Sequence, residues 1–108
     1  DFLLDRGLEA VARNFRSRCG EIDLIMMHRD CLVFVEVRYR ASTRFSDPGP
    51  TVDARKQQKI LRTAALFIAR QPQFANHTMR FDVVAIAGKT SHSVRWIRDA
   101  FRPSQSSR

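Results

Sequence analysis

The chain has 108 residues, enough for one domain with its own core and too few for two. Its 44% hydrophobic and 28% charged residues exclude a disordered or low-complexity protein, and no apolar run approaches the roughly 18 residues needed to cross a bilayer. A net charge of +8 and a pI ≈ 11.0 point to a polyanionic partner, nucleic acid before membrane, and with no signal peptide the expected compartment is the cytoplasm.

In chain order, residues 1–5 read as the end of a helix with Gly7 as its C-cap. Residues 8–16 alternate imperfectly and predict a first strand. Residues 20–28 and 31–40, rich in Ile, Val, Leu and Phe, predict the two clearest strands, joined by a tight turn at Arg29-Asp30 that lacks the favoured Gly. Residues 41–51 contain Pro48-Gly49-Pro50 and have loop composition; with Arg40, Arg44 and Phe45 this basic segment reads either as a lid or strand contact or as a plain loop. Thr51 or Asp53 then caps a helix over 54–70, whose apolar face is Ile60, Leu61, Ala64, Phe67 and Ile68. Arg55, Lys59 and Arg62 fall on the opposite side, and Gln71-Pro72 ends the helix. Residues 79–87, closed by Gly88, and residues 94–101 predict the last two strands, and 102–108 is a polar tail. The order β-β-β-α-β-β, with a further helix expected in front, predicts an α/β domain over residues 1–101. Its core is a mixed central sheet of about five strands with helix cover, followed by the tail 102–108.

Two of these strands carry acids where apolar residues are the norm. A carboxylate buried beside a core costs several kcal/mol unless it is paired or bound to a metal. Alternation places Glu36 and Arg38 with Leu32 and Phe34, and Val33, Val35 and Val37 on the other face; in the preceding strand Glu21, Asp23 and Ile25 share a face. In matching register Asp23 and Glu36 become cross-strand neighbours about 5 Å apart, which repel unless a cation lies between them. Two readings stay open. In one, Asp23 and Glu36 hold Mg²⁺ or Mn²⁺ with Arg38 near a scissile phosphate. In the other, Arg38, Arg40 or Arg80 neutralises a purely structural pair. The spacing D…E-x-R differs by one residue from the D…E-x-K signature of metal-dependent nucleases. Lys56, at the start of the helix and turned toward the sheet, reads as a phosphate contact or solvated helix end, with a displaced site lysine as the alternative.

The lysines are Lys56, Lys59 and Lys89, so 16 of the 19 basic residues are Arg. That suits bidentate phosphate recognition, and a GC-rich genome produces the same bias. Asp82 is expected in a structural ion pair, and Trp96 and Phe101 in the core. His28, His77 and His92 show no metal spacing. Cys19 and Cys31 read as reduced thiols, with a disulfide as the alternative.

Gly20-Glu21-Ile22-Asp23-Leu24-Ile25, Val33-Phe34-Val35-Glu36-Val37-Arg38-Tyr39-Arg40, Arg55-Lys56-Gln57 and Arg80-Phe81-Asp82-Val83-Val84-Ala85 resemble the YraN family of uncharacterised bacterial proteins. So do Arg13-Asn14-Phe15-Arg16 and Trp96-Ile97-Arg98-Asp99-Ala100-Phe101, so that the resemblance covers nearly the whole chain. That family is itself similar to archaeal Holliday-junction resolvases and the restriction-endonuclease-like fold. The resemblance implies a mixed central sheet flanked by helices, with a Mg²⁺ or Mn²⁺ site at Asp23 and Glu36. It further implies endonuclease chemistry on DNA rather than RNA, and a homodimer working across two strands. Two departures accompany it: Arg38 stands where members usually carry Lys, and the resolvases draw a Glu from an N-terminal helix that would lie upstream of Asp1. The leading expectation is a nucleic-acid-binding protein with Asp23, Glu36 and Arg38 as catalytic residues. Arg40, Arg44, Arg55, Lys56, Lys59 and Arg62 would hold the nucleic-acid backbone. The alternatives are a non-catalytic binding module with a degenerate metal site and a protein-interaction domain with a basic face.

Overall fold

The β-branched and aromatic runs near the N-terminus form three strands, β1 (Glu9–Ser17), β2 (Gly20–His28) and β3 (Cys31–Arg40), paired as an antiparallel meander. The computed structural model describes residues 2–40, 52–88 and 93–103. After β3, helix α1 (Ala54–Arg70) carries the chain back across the sheet, as a parallel connection requires. Strand β4 (Thr78–Ala87) then runs parallel to β3 from Cys31↔Thr78 to Arg40↔Ala87, and β5 (Ser93–Phe101) closes the edge antiparallel to it. The sheet order is β1-β2-β3-β4-β5. This is the mixed α/β sheet that the element order predicts, and it is consistent with a nuclease-like arrangement. The expected end of a helix before Gly7 is a 3₁₀ turn, Leu4–Arg6, closed by Gly7 at φ 92. Among the described residues α1 is the one α-helix, so helical cover lies on one face only. No helix of the described residues is long and apolar enough to cross a membrane.

The helix is fixed at its start by Asp53 rather than Thr51: Asp53 Oδ1 accepts the Lys56 N–H at 2.8 Å. It lays Ile60, Ala64 and Phe67 onto Ile22, Ile25, Leu32, Phe34, Phe81 and Val83, all buried, with Leu61 and Ile68 at the margin. Phe34 and Phe81 stack at 5.3 Å between ring centroids, Phe81 and Phe101 at 5.2 Å, and Phe67 meets Phe15 edge-on. Gly20 (φ 146) sets how closely α1 approaches β2, since a Cβ there would stand 3.3 Å from Thr63 Oγ1. Thr63, fully buried, returns its hydroxyl hydrogen to the Lys59 carbonyl. On the opposite, open face, Leu3, Leu8, Met26, Val33, Val35 and Val84 form a second buried cluster.

Cys19 and Cys31 sit beyond opposite ends of β2, roughly 30 Å apart along a strand of this length, which rules out a disulfide between them. Asp82 is 1% exposed on β4 and fully bonded. It accepts two hydrogen bonds from the Arg80 guanidinium, one from Trp96 Nε1 and one from the Asp99 N–H, each 2.9 Å. The β4–β5 register shifts between Phe81 and Val83, and Asp99, at φ 55, turns its N–H to that carboxylate instead of the ladder. The bond to Asp82 raises the pKa of Arg80 above its ordinary value. Asp82 is thus the structural ion pair expected, and Trp96 serves it as a donor as well as packing on the open face.

Replacing Asp82 by Ala removes the buried member of the pair and strands a part-buried guanidinium and an indole N–H, and should cost about 3 kcal/mol. Trp96, the chain's one tryptophan, reports this directly as a lower urea midpoint by fluorescence. Arg102→Ala, at the exposed Asp99 pair, should leave the midpoint unchanged.

Candidate functional site

Strand β2 breaks its own alternation at Asp23. Ile22 and Ile25 both belong to the helix-side core, while Leu24 and Met26 pack on the open face. In a regular strand residues three apart face opposite ways. Across from the break, Asn14 of β1 sits at φ 50, flanked by the regular pairs Arg13↔Leu24 and Phe15↔Ile22. The β2–β3 pairing stops at the same level, at Leu24↔Val35. Asp23 fills the gap, its Oδ2 accepting the Val37 N–H at 2.8 Å. The expected common face for Glu21, Asp23 and Ile25 is therefore corrected: Asp23 lies at a swivel and lines cavities on both faces. Glu21 is exposed and pairs with Arg16 at 3.4 Å.

On the helix side, Asp23 and Glu36 line one cavity of ≈ 390 Å³ together with Glu21, Asp53, Arg55, Lys56 and Lys59. Glu36 belongs to β3, on the face of Leu32 and Phe34 as alternation requires, and its side chain is 8% exposed. Lys56 Nζ stands 2.7 Å from Glu36 Oε2, whereas Arg38 Nη1 reaches the same oxygen only at 4.0 Å. The cation expected from β3 thus comes chiefly from α1. Lys56 lies one helical turn before buried Ile60, which directs it at the sheet, and the Asp53 cap on its own N–H fixes the turn that carries it. Arg80 is committed to Asp82 and does not neutralise this pair. Arg55, Lys59 and Arg62 are exposed; the first two line the cavity, and Arg62 lies further along the helix. Arg44 and the Arg40 side chain lie outside the described residues, as does the rest of the expected basic loop.

Among the described residues no three His, Cys, Asp or Glu side chains gather as a closed metal cage would need. Two carboxylates on a cavity wall instead suit a hard ion such as Mg²⁺, which keeps water ligands and takes others from a substrate phosphate. Periodicity identified Lys56 as facing the sheet but not its partner. The gap at Asp23 had one sequence signal, the opposition of a turn-prone Asn14 and an in-strand acid.

The model of the uncharacterised protein family UPF0102 matches residues 1–86. A UPF0102 protein of Pseudomonas putida is 41% identical over 94% of this chain and 84% of its own length. One of Stutzerimonas stutzeri is 47% identical over 92% and 83%, and one of Halorhodospira halophila 48% identical over 94% and 78%. The chain belongs to this family, the YraN family that the sequence motifs resemble.

Lys56→Met should lower stability by roughly 1–2 kcal/mol, discounted for the half-exposed ammonium, because it leaves Glu36 buried near Asp23. Adding Glu36→Gln to that variant should restore most of the loss, while Arg38→Met alone should cost less. Urea titrations at neutral pH measure all three.

Proposed function

We propose that this protein is a metal-dependent endonuclease of the cytoplasm that hydrolyses phosphodiester bonds in nucleic acid, DNA in preference to RNA. One observation carries the reading: a lysine from α1 meets a strand glutamate at 2.7 Å, in a cavity that a second strand carboxylate also lines. Those are the groups such hydrolysis needs, two acids for a divalent ion and a fixed positive charge for the phosphate. Asp23 and Glu36 would hold Mg²⁺ or Mn²⁺; when bound, such an ion lowers the pKa of a coordinated water and neutralises phosphate charge. Lys56 holds its ammonium beside Glu36 and stabilises negative charge that develops on the phosphoryl oxygens. Arg38, 32% exposed and further from Glu36, adds a second positive charge at the rim. Arg55 and Lys59 extend that charge along the helix, where they can hold the flanking backbone.

The same contact also favours a second reading, a binding module in which the Lys56 ammonium takes the place of the metal. Labelled DNA incubated with the protein in Mg²⁺, Mn²⁺ or EDTA separates the two. The endonuclease gives metal-dependent products that disappear in Asp23→Asn and Glu36→Gln and fall about 100-fold in Lys56→Met. Salt-sensitive binding without any cleavage would establish the binding module instead. In either case, replacing Arg55, Lys59 and Arg62 together by Ala should flatten the slope of log affinity against log salt by up to about three units. An unchanged slope would remove this helix from the interface.

A further inference from the structure

We infer that the cavity on the open face of the sheet, with Tyr39 at its lip, receives an unpaired nucleobase and so directs the protein to single-stranded segments. The inference rests on the nucleic-acid reading above and adds the form of nucleic acid that the site takes. Along β3 the open-face residues pass from buried Val33 and Val35 to Tyr39, which is 77% exposed. Tyr39 lines a cavity of ≈ 610 Å³ with apolar walls from Leu24, Val37, Val84 and Ile86, and with Arg13 and Asn14 at one side. A nucleobase asks for this combination: an aromatic surface to stack on, apolar walls, and a few polar groups for its edge. The Asn14 amide both donates and accepts, as a base edge requires, and Arg13 supplies positive charge for the attached phosphate.

The position of the cavity strengthens the case. Asp23 lines it from the gap between β2 and β3, and also lines the helix-side cavity that holds Glu36 and Lys56. The two cavities therefore adjoin across the end of the sheet. A strand passing over that end places a base on one face while a neighbouring phosphate reaches the acids and lysine on the other. A base that remains paired and stacked in a duplex cannot enter the open-face cavity, whereas one free of its partner can. The chain's charge of +8 favours such a polyanion over a neutral apolar ligand.

Tyr39 is the chain's single tyrosine, so 3-fluorotyrosine labelling gives one ¹⁹F resonance that reports on this site alone. The experiment uses the whole chain at low salt with two probes of equal length, oligo(dT) and a fully paired duplex. Tyr39→Ala should weaken oligo(dT) binding about 5- to 100-fold, the range for loss of one stacked base, and change duplex binding less than about twofold. Tyr39→Phe should bind as the wild type does, and the ¹⁹F resonance should shift with oligo(dT) and not with duplex. High exposure makes both variants safe for folding. Wild-type affinity of Tyr39→Ala for oligo(dT), or equal losses on both probes, overturns the inference and leaves the proposed function standing. Failure of the wild type to bind either probe overturns the proposed function and this inference with it.

Discussion

The Val37 N–H lies beyond the last β2–β3 backbone pair, and Asp23 Oδ2 accepts it. Left unmade, a fully buried donor costs about 1–3 kcal/mol and a part-buried one such as this somewhat less. Because a side chain rather than a carbonyl completes the ladder, β2 is released from β3 at that level and can swivel. Ile22 returns to the helix-side core in consequence, while Leu24 stays on the open face. Strand β3 continues undisturbed beside β4 as far as Arg40↔Ala87. Asp23, in the gap between the two strands, lines a cavity on each face, so one carboxylate-to-amide bond fixes the acid that both cavities share.

Two other acids show how burial separates structure from chemistry. Asp82 has every oxygen committed, to a fork of Arg80, to Trp96 and to a bulged N–H of β5. Such a carboxylate is a clamp between β4 and β5 and has little capacity left for a ligand. Glu36 is nearly as buried, yet it faces a cavity, and its closest cation is a half-exposed lysine from another element. A buried charge kept beside open space, with a neutralising partner that can be displaced, is the arrangement expected where an ion or phosphate is to bind.

The fold was legible because its elements obey their periods. The β2, β3 and α1 boundaries follow directly from hydrophobic runs, a two-residue turn and the Asp53 cap, and the other strands shift by a single residue. That Asp82 serves a structural ion pair was legible too, but its partner was not, since Arg80 was expected to be available to Asp23 and Glu36 instead. Strict alternation failed at Asp23, where a side-chain hydrogen bond overrides the pleat. It also sought the neutralising cation among the strand arginines Arg38, Arg40 and Arg80, because sequence spacing within a strand is visible and a helix packed over that strand is not. The approach of α1 depends on the missing Cβ of Gly20 and the self-satisfied hydroxyl of Thr63. Both are contacts between elements that no local pattern announces.

The first turn of α1 is electrostatically odd. The positive end of a helix dipole favours acids, and a cation there costs up to about 1 kcal/mol. Yet Arg55 and Lys56 occupy that turn, with no acid among its residues and only the Asp53 cap before it. Glu36 offsets part of this penalty by taking the Lys56 ammonium at 2.7 Å. The strand acids of the cavity that Arg55 shares are engaged elsewhere, Glu21 by Arg16, Glu36 by Lys56 and Asp23 by the Val37 N–H. Positive charge gathered at a helix N-terminus is a potential that a phosphate would satisfy. The local rule is broken at the place where the proposed chemistry needs it broken, and the broken rule also explains why the lysine belongs to the helix. From α1, Lys56 reaches over the cavity to Glu36, a position that Arg38, on the same strand as that glutamate, approaches only to 4.0 Å.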